Sequence, residues 1–307
     1  MSFSSKVKEE LLRIRLKDSR VRLSQLSGLV LSCGSLRLGG GAAIVCQTES
    51  LAVARHILSL ASGLFKLDSA LEMKEREHRR TPLMVLTLDG EDIKKLLLLS
   101  GAISEDGEGL HFRSGVPTKL ISTDECRRAF LRGCFLGSGS CTNPKRSYHL
   151  EMVCKNEAFA EELCALINEF TLNAKSAQRK NRAIVYLKDG DDVMGFLACV
   201  GANVGAMELE SVRVEKEVRN YLNRTSNCEN ANMDKAAAAS ARQMQAIRKI
   251  MDRADISKLP RSLIQAAQLR LNHPEATIGD LATMAGIQKS GMNHRLDRLM
   301  KIARELD

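Results

Sequence analysis

Apolar positions along this chain change their spacing in a fixed order, and the order occurs twice. Val7, Leu11, Leu12 and Ile14 give one apolar side to a helix that Ser4 or Ser5 can cap and that runs to about residue 16. The run Leu26-Ser27-Gly28-Leu29-Val30-Leu31-Ser32-Cys33-Gly34 predicts a helix over 24–33, with a glycine in its middle and a glycine where it stops. Strand-like runs at 35–38 and 42–48 flank Gly39-Gly40-Gly41 and read as a hairpin. Those glycines lack a following Gly-Lys-Ser/Thr and open no helix, so they read as a turn and not as a phosphate cradle. A helix over 51–63, strands over 70–75 and 82–88 around the charged turn 76–80, and an apolar helix over 91–100 complete the first pass.

The second pass begins with a helix over 124–136 that carries Leu131-Arg132-Gly133-Cys134-Phe135-Leu136-Gly137-Ser138-Gly139. A strand over 147–153, a helix over 157–170, a hairpin of 175–179 with 183–187 around Lys180-Asn181, and a helix over 193–200 follow. Residues 26–34 and 131–139 agree at both Leu and both Gly landmarks at an offset of 105 positions. Residues 89–102 and 189–202 agree at six of fourteen positions at an offset of 100, where average composition gives about one. This points to a tandem duplication, with repeats of about 1–105 and 120–205 inside a domain 1–207. The fold class expected is α+β: a duplicated α/β domain with pseudo-twofold symmetry, its hairpins joined into one or two facing sheets, followed by an all-α domain. A mid-helix glycine costs roughly 1 kcal/mol against alanine. Its presence in both helices suggests that they pack backbone against backbone at Gly28 and Gly133.

Residues 208–234 change character. Five asparagines fall within 220–232, which predicts a linker or hinge, because asparagine favours caps and turns. Asn223, Arg224 and Asn227 in that run are candidates for directed hydrogen bonds to a phosphate or to a neighbouring domain. Domain 235–307 then shows helices over 235–252 and 259–271, a short helix capped by Thr277 with Leu281 and Ala282 inward, a turn at Gly286, and a longer helix from Lys289 or Ser290 to about residue 306. A short helix, a glycine turn and a longer helix form the helix-turn-helix pattern. Ile287, Leu296 and Leu299 would close its core.

Charge sharpens this reading. The chain carries a net charge of +9, and residues 235–307 hold 13 Lys+Arg against 7 Asp+Glu, so +6 of the total lies there. With Leu296 and Leu299 inward, Ser290, Asn293, His294, Arg295 and Arg298 can point outward, and Lys289 precedes them. These are donors for guanine, adenine and phosphate, and they mark double-stranded DNA as the partner. Arg79, Arg146, Arg179 and Lys180 at the hairpin tips of the duplicated domain could add phosphate contacts.

Nine cysteines include no Cys-x-x-Cys pair and no accompanying His cluster, so the reading is free thiols with neither a zinc site nor a disulfide framework. The Met1–Glu10 end has no apolar signal core, and no apolar run reaches 18 residues, so the expectation is a cytoplasmic, nucleoid-associated protein with no membrane partner. No catalytic constellation and no cofactor motif stands out; Asp191-Asp192 and Glu91-Asp92 sit at helix starts, where acids complement the dipole.

Residues 26–34 and 131–139 resemble the paired signature helices of LAGLIDADG homing endonucleases. Asn223-Arg224-x-x-Asn227-Cys228-Glu229-x-Ala231-Asn232 and Lys289-Ser290-Gly291-Met292-Asn293-His294-Arg295-Leu296 resemble the WhiA family, in which a degenerate domain of that kind is joined to a helix-turn-helix. The resemblance covers essentially the whole chain. It implies a transcriptional regulator of cell division, chromosome segregation and, in spore formers, sporulation. Partners from the division or transcription machinery are a further expectation. In active LAGLIDADG nucleases each signature helix ends in a metal-binding acid just before its last glycine. Cys33 and Ser138 hold those positions here, and neither offers the anionic oxygen that Mg²⁺ needs. The resemblance therefore implies a non-enzymatic DNA-binding protein without a metal. The two alternatives are a residual metal-dependent endonuclease and an interaction scaffold of the division machinery.

Overall fold

The computed structural model of the chain describes residues 1–38, 41–77, 81–106, 109–112, 115–254 and 256–306. Ser2, and not Ser4 or Ser5, caps the first helix α1 (Phe3–Leu12), its hydroxyl accepting from Ser5 N at 3.1 Å. Ser4 Oγ is used elsewhere, accepting from Cys141 N. α1 stops four residues short of the expected end. The chain must turn extended at Asp18, whose carboxylate caps α2 (Ser19–Cys33) by accepting from Arg20 N and Val21 N.

After α2 the order is β1 (Gly34–Leu38), β2 (Ala42–Thr48), α3 (Leu51–Ser62), β3 (Asp68–Lys74), β4 (Leu83–Asp89) and α4 (Ile93–Leu99). A small hairpin that the hydrophobic pattern did not disclose, β5 (Ile103–Asp106) with β6 (Gly109–Phe112), separates the repeats. The order then recurs as α5 (Asp124–Ser138), β7 (Gly139–Cys141), β8 (Leu150–Cys154), α6 (Glu157–Asn168), β9 (Lys175–Arg179), β10 (Arg182–Leu187) and α7 (Gly190–Val200). The two four-stranded antiparallel sheets have orders β1-β2-β4-β3 and β7-β8-β10-β9, equal position by position, so the duplication read from the sequence is a duplication of topology. In β8 buried and half-buried positions alternate strictly, as a one-sided strand requires, while the edge strands β3 and β9 are exposed along their whole length. Lys180 and Asn181 at the β9–β10 tip have φ of +48° and +61°, the paired left-handed geometry of a two-residue type I′ turn.

A single core runs through both repeats, and α2 and α5 lie at its centre, with Leu26, Leu29, Phe130 and Phe135 all fully buried. A Cβ on Gly28 would strike the backbone of Phe130 O and come to 2.9 Å from Cys134 N. A Cβ on Gly133 would strike Gln25 O and come to 3.0 Å from Leu29 N. The obstacles are backbone atoms in both cases, so neither can swing aside. The stop glycines serve closeness as well. Gly34 and Gly139 have ordinary extended φ, yet a Cβ would fall 2.6 Å from Val30 O and from Phe135 O respectively.

The seam also buries polar groups. Arg132 Nε donates to Val200 O at 2.6 Å and its Nη1 to Gln25 Oε1 at 3.1 Å, while Gln25 Nε2 lies 2.7 Å from His56 Nε2. Three helices and α3 are thereby keyed to one guanidinium. Burial, and then the Arg132 charge, hold the His56 imidazole below its ordinary pKa.

The turn or hinge expected over 208–234 is helical instead, although the boundary between the two compact units falls inside that stretch. Residues 208–234 belong to α8 (Asn203–Arg253), an unbroken helix. No Pro or Gly follows Gly205 within it, and Asn lowers helix propensity only by tenths of a kcal/mol in such surroundings. Side chains along the asparagine-rich part bond back one turn, Arg224 Nε to Asn220 O and Thr225 Oγ1 to Tyr221 O. The chain divides into two compact units at Lys216/Glu217, and α8 contributes to both. The second unit continues with a 3₁₀ turn (Ile256–Lys258), α9 (Arg261–Asn272), α10 (Ile278–Met284) and α11 (Lys289–Glu305). Among the described residues no helix is long and apolar enough to cross a membrane.

Gly28→Ala and Gly133→Ala should each lower the unfolding free energy by about 1–3 kcal/mol in urea melts, although alanine is the better helix former. Gly279→Ala in α10, where the nearest atom to a new Cβ is Thr277 Oγ1 at 3.5 Å, should be neutral or stabilising. Equal effects at the three sites would refute the close-approach account. His56 gives a second expectation. As pH falls below about 6.5 the unfolded imidazole takes up a proton that the folded one refuses, so stability drops by at most about 1.4 kcal/mol per pH unit until the folded pKa is reached. His56→Gln should flatten that part of a stability-versus-pH curve.

Candidate nucleic-acid interface

The second unit is built around Leu263, Leu281, Ala282, Met292, Leu296 and Leu299, all buried, with Ile247 and Ile250 of α8 beneath them and Ile287 half-buried at the turn. Thr277 starts α10 with a reciprocal cap. Its Oγ1 accepts from Asp280 N at 3.2 Å, and Asp280 Oδ2 accepts from Thr277 N at 2.9 Å and from the Thr277 hydroxyl at 2.8 Å. These bonds, the hydroxyl first, hold the Asp280 carboxyl below the usual carboxylate range. Gly286 has φ of +65°, which lets the chain reverse between α10 and α11. Ile287 N then returns to Ala282 O at 3.0 Å.

Arg270 fixes the loop that leads into α10, and the sequence reading missed it. The residue is 2% exposed; its Nη1 donates to Ala276 O at 2.7 Å and lies 3.4 Å from Pro274 O and 3.3 Å from Ser240 Oγ. Ser240 Oγ in turn donates to Pro274 O at 2.7 Å. A signal was present: Leu263, Ala266, Ala267 and Arg270 form an i, i+3, i+4, i+7 inward stripe, so the arginine stands where an apolar residue is due.

On α11 the exposed residues include Lys289, Ser290, Asn293, His294 and Arg298, while Met292, Leu296 and Leu299 face the core. No side chain caps the N-terminus of α11, where Gln288 is the cap residue. Asn293 Nδ2 donates to Asp297 Oδ2 at 3.1 Å. Arg295 departs from the expectation that it points outward. It is half-buried, and its Nη1 lies 3.2 Å from Gln265 Oε1 and 3.5 Å from Ser262 O, so the side chain turns back onto α9. The reason is helical phase, since position 295 borders the buried positions 292, 296 and 299. Thr277 is exposed, with its hydroxyl committed to the cap.

The other candidates are scattered. Asn223, Arg224 and Asn227 are exposed on α8. Arg146 is exposed in the β7–β8 connection, in the turn that closes from its own N–H to Asn143 O. Arg179 is exposed and 3.8 Å from Glu151 Oε2, and Lys180 stands at the β9–β10 tip. Arg79 lies outside the described residues. Lys74 and Arg76 in the first repeat are already paired, with Glu72 at 3.6 Å and Glu49 at 2.7 Å.

Cys33 and Ser138 end α2 and α5. Their side chains fold onto their own helices, Cys33 Sγ to Leu29 O at 3.2 Å and Ser138 Oγ to Cys134 O at 3.4 Å. Two lysines reach the same helix ends crosswise. Lys8 of the first repeat donates to Leu136 O of α5 at 3.1 Å, and Lys155 of the second repeat donates to Val30 O of α2 at 3.2 Å. Ammonium groups on C-terminal carbonyls meet the negative ends of the two helix dipoles. Burial drives Lys8 down to about 8, and Cys33 and Glu49 oppose the shift; burial likewise lowers Lys155. A divalent cation does not fit a place with two ammonium groups, a thiol and a hydroxyl, and no group of three or more potential ligands occurs among the described residues.

The chain matches three family descriptions in series: the WhiA N-terminal LAGLIDADG-like domain over residues 19–99, the WhiA LAGLIDADG-like domain over 127–219, and the WhiA C-terminal HTH domain over 222–303. It is 37% identical over 311 residues to a probable cell division protein WhiA of Clostridium botulinum (strain Eklund 17B / Type B), covering 100% of this chain and 99% of that one. The same identity holds over 312 residues with the protein of that name from Clostridium novyi (strain NT), covering 100% and 98%. Among solved structures, full-length DUF199/WhiA from Thermatoga maritima superposes with a TM-score of 0.64 at 25% identity, covering 99% of each chain.

Thr277→Ala removes the hydroxyl that caps α10 and should destabilise the second unit by about 1 kcal/mol. Amide hydrogen exchange in α10 checks this, and protection factors equal to those of the parent protein would contradict the cap's role.

Proposed function

This chain belongs to the WhiA family, and on that premise we propose that it is a non-enzymatic, sequence-specific DNA-binding regulator of cell division. The observation that carries the reading is the exposed face of α11, where Ser290, Asn293, His294 and Arg298 stand clear of the core on a helix-turn-helix whose first helix is capped and whose turn is made by Gly286. Asn293 and Arg298 carry the donor groups that suit adenine and guanine edges, and Lys289 and Ser290 lie at the uncapped N-terminus of α11, where a phosphate is favoured. Arg295 acts as a positioning group through Gln265 and Ser262 instead of as a base reader. Thr277 acts as the cap of the supporting helix.

Exposed Asn223, Arg224 and Asn227 on α8, and Arg146 and Lys180 on the first unit, supply phosphate contacts that add affinity without sequence preference. Arg179 is weaker in that role because Glu151 offsets it. The division role comes from the names of the relatives. Transcriptional control, a part in chromosome segregation and, in spore formers, in sporulation, and a nucleoid location extend that role. Loss of cleavage is supported by the replacement of two acids by Cys33 and Ser138 and by the ammonium groups of Lys8 and Lys155 beside them.

Binding of the full chain to genomic double-stranded fragments, titrated at several salt concentrations, tests the proposal. Affinity should fall steeply with salt. Arg298→Ala should cost about 1–3 kcal/mol on the preferred site and relax its sequence preference. Affinity independent of salt, or an Arg298 variant with unchanged preference, would sink the interface. Nicking of supercoiled plasmid with Mg²⁺ or Mn²⁺ that co-purifies with the protein would establish the rival nuclease reading.

A further inference from the structure

Cys33 is unlike the other buried cysteines. It is the last residue of α2, half-buried, and the next residue, Gly34, pairs in register with Cys46 across the β1–β2 ladder. Cys46, fully buried, thus stands across the ladder from the residue that follows Cys33. The charges of Lys8 and Lys155 both act on Cys33. A hydrogen bond received from Cys46, and then Lys155 and Lys8, lower the Cys33 thiol pKa despite burial. Cys46, Cys134, Cys141 and Cys154 are all pushed up, burial being the first cause for the last three and donation to Cys33 the first for Cys46. Cys33 is the more exposed of the two and lies within a turn of the Lys155 contact at Val30 O, so it is the sulfur an oxidant reaches first.

We propose that Cys33 and Cys46 form a dithiol oxidised by hydroperoxides, with Cys33 as the attacking sulfur and Cys46 as the resolving one. In the first step the Cys33 thiolate attacks the terminal oxygen of a hydroperoxide. The O–O bond breaks, the sulfur becomes a sulfenic acid, and the alkoxide or hydroxide leaves and takes a proton from solvent or from a neighbouring ammonium. In the second step the Cys46 sulfur attacks the sulfenic sulfur. The S–O bond breaks, and hydroxide departs with the Cys46 proton as water. Two thiols lose two electrons, and one hydroperoxide is reduced to an alcohol or to water. The product ties the end of α2 to β2, beside the seam on which the duplicated domain is built. Placement fits the general pattern of oxidant-responsive cysteines, a thiolate next to cations with a second thiol in reach.

The test treats the full chain with hydrogen peroxide, blocks remaining thiols, and maps peptides without reduction. Cys33 and Cys46 lie in separate tryptic peptides, 23–37 and 38–55, so a linked pair is directly visible. Cys228, which is exposed, serves as the internal reference. Formation of the 33–46 link roughly tenfold faster than oxidation of Cys228, reversed by dithiothreitol, is expected. Cys46→Ser should leave a dimedone-reactive sulfenic acid on Cys33, and Lys155→Met should slow Cys33 oxidation. Cys33 oxidising no faster than Cys228 in the parent protein, or oxidising without a link to Cys46, would overturn the proposal.

Discussion

Everything in the first unit depends on how closely α2 and α5 approach. Two helices ordinarily pack with their axes 8–10 Å apart, spaced by side chains. Gly28 and Gly133 remove that spacer, and each faces backbone atoms of the opposite helix. The helical propensity lost at two glycines, roughly 1 kcal/mol each, is small beside the apolar surface of Leu26, Leu29, Phe130 and Phe135 that the approach seals in one core. Each helix then runs straight into the first strand of its own sheet through an extended glycine, so the position of the seam sets the position of both sheets.

Close packing of two parallel repeats brings two helix C-termini to one place, and their partial negative charges must be met. Members of the wider fold that cleave DNA meet them with acids and a metal, as the sequence resemblance implies. This chain meets them with Lys8 and Lys155, each crossing to the other repeat's helix. The exchange is self-consistent, because an ammonium neutralises the carbonyls without an anionic ligand and makes the place unfavourable for a divalent ion. It also places cations next to the Cys33 sulfur.

The second unit solves a different problem, that of holding a short helix and a turn rigid with a small core. The Thr277–Asp280 cap and the buried Arg270 do this with directed bonds. Arg270 satisfies carbonyls of a loop that would otherwise be left unpaired in a low-dielectric interior, where such groups cost about 1–3 kcal/mol each.

Much of this was legible in the amino-acid order. Period, glycine placement and turn residues disclosed the αββαββα order of the first repeat and all of it in the second but the three-residue β7, together with the Lys180-Asn181 hairpin, the Gly28–Gly133 approach and the helix-turn-helix, because each follows from local sterics or from burial on one face. The asparagine-rich stretch misled, since composition favoured a turn while the absence of Pro and Gly after Gly205 let the helix continue. The orientation of Arg295 was lost for want of one helical step of phase. What only the tertiary structure decided is which distant residues meet: Lys8 with Leu136, Lys155 with Val30, Arg132 with Gln25 and Val200, and Cys33 with Cys46. Sequence fixes the faces of elements through periods of 2 and 3.6, but the pairing of charges across elements is set by how those faces are brought together in space.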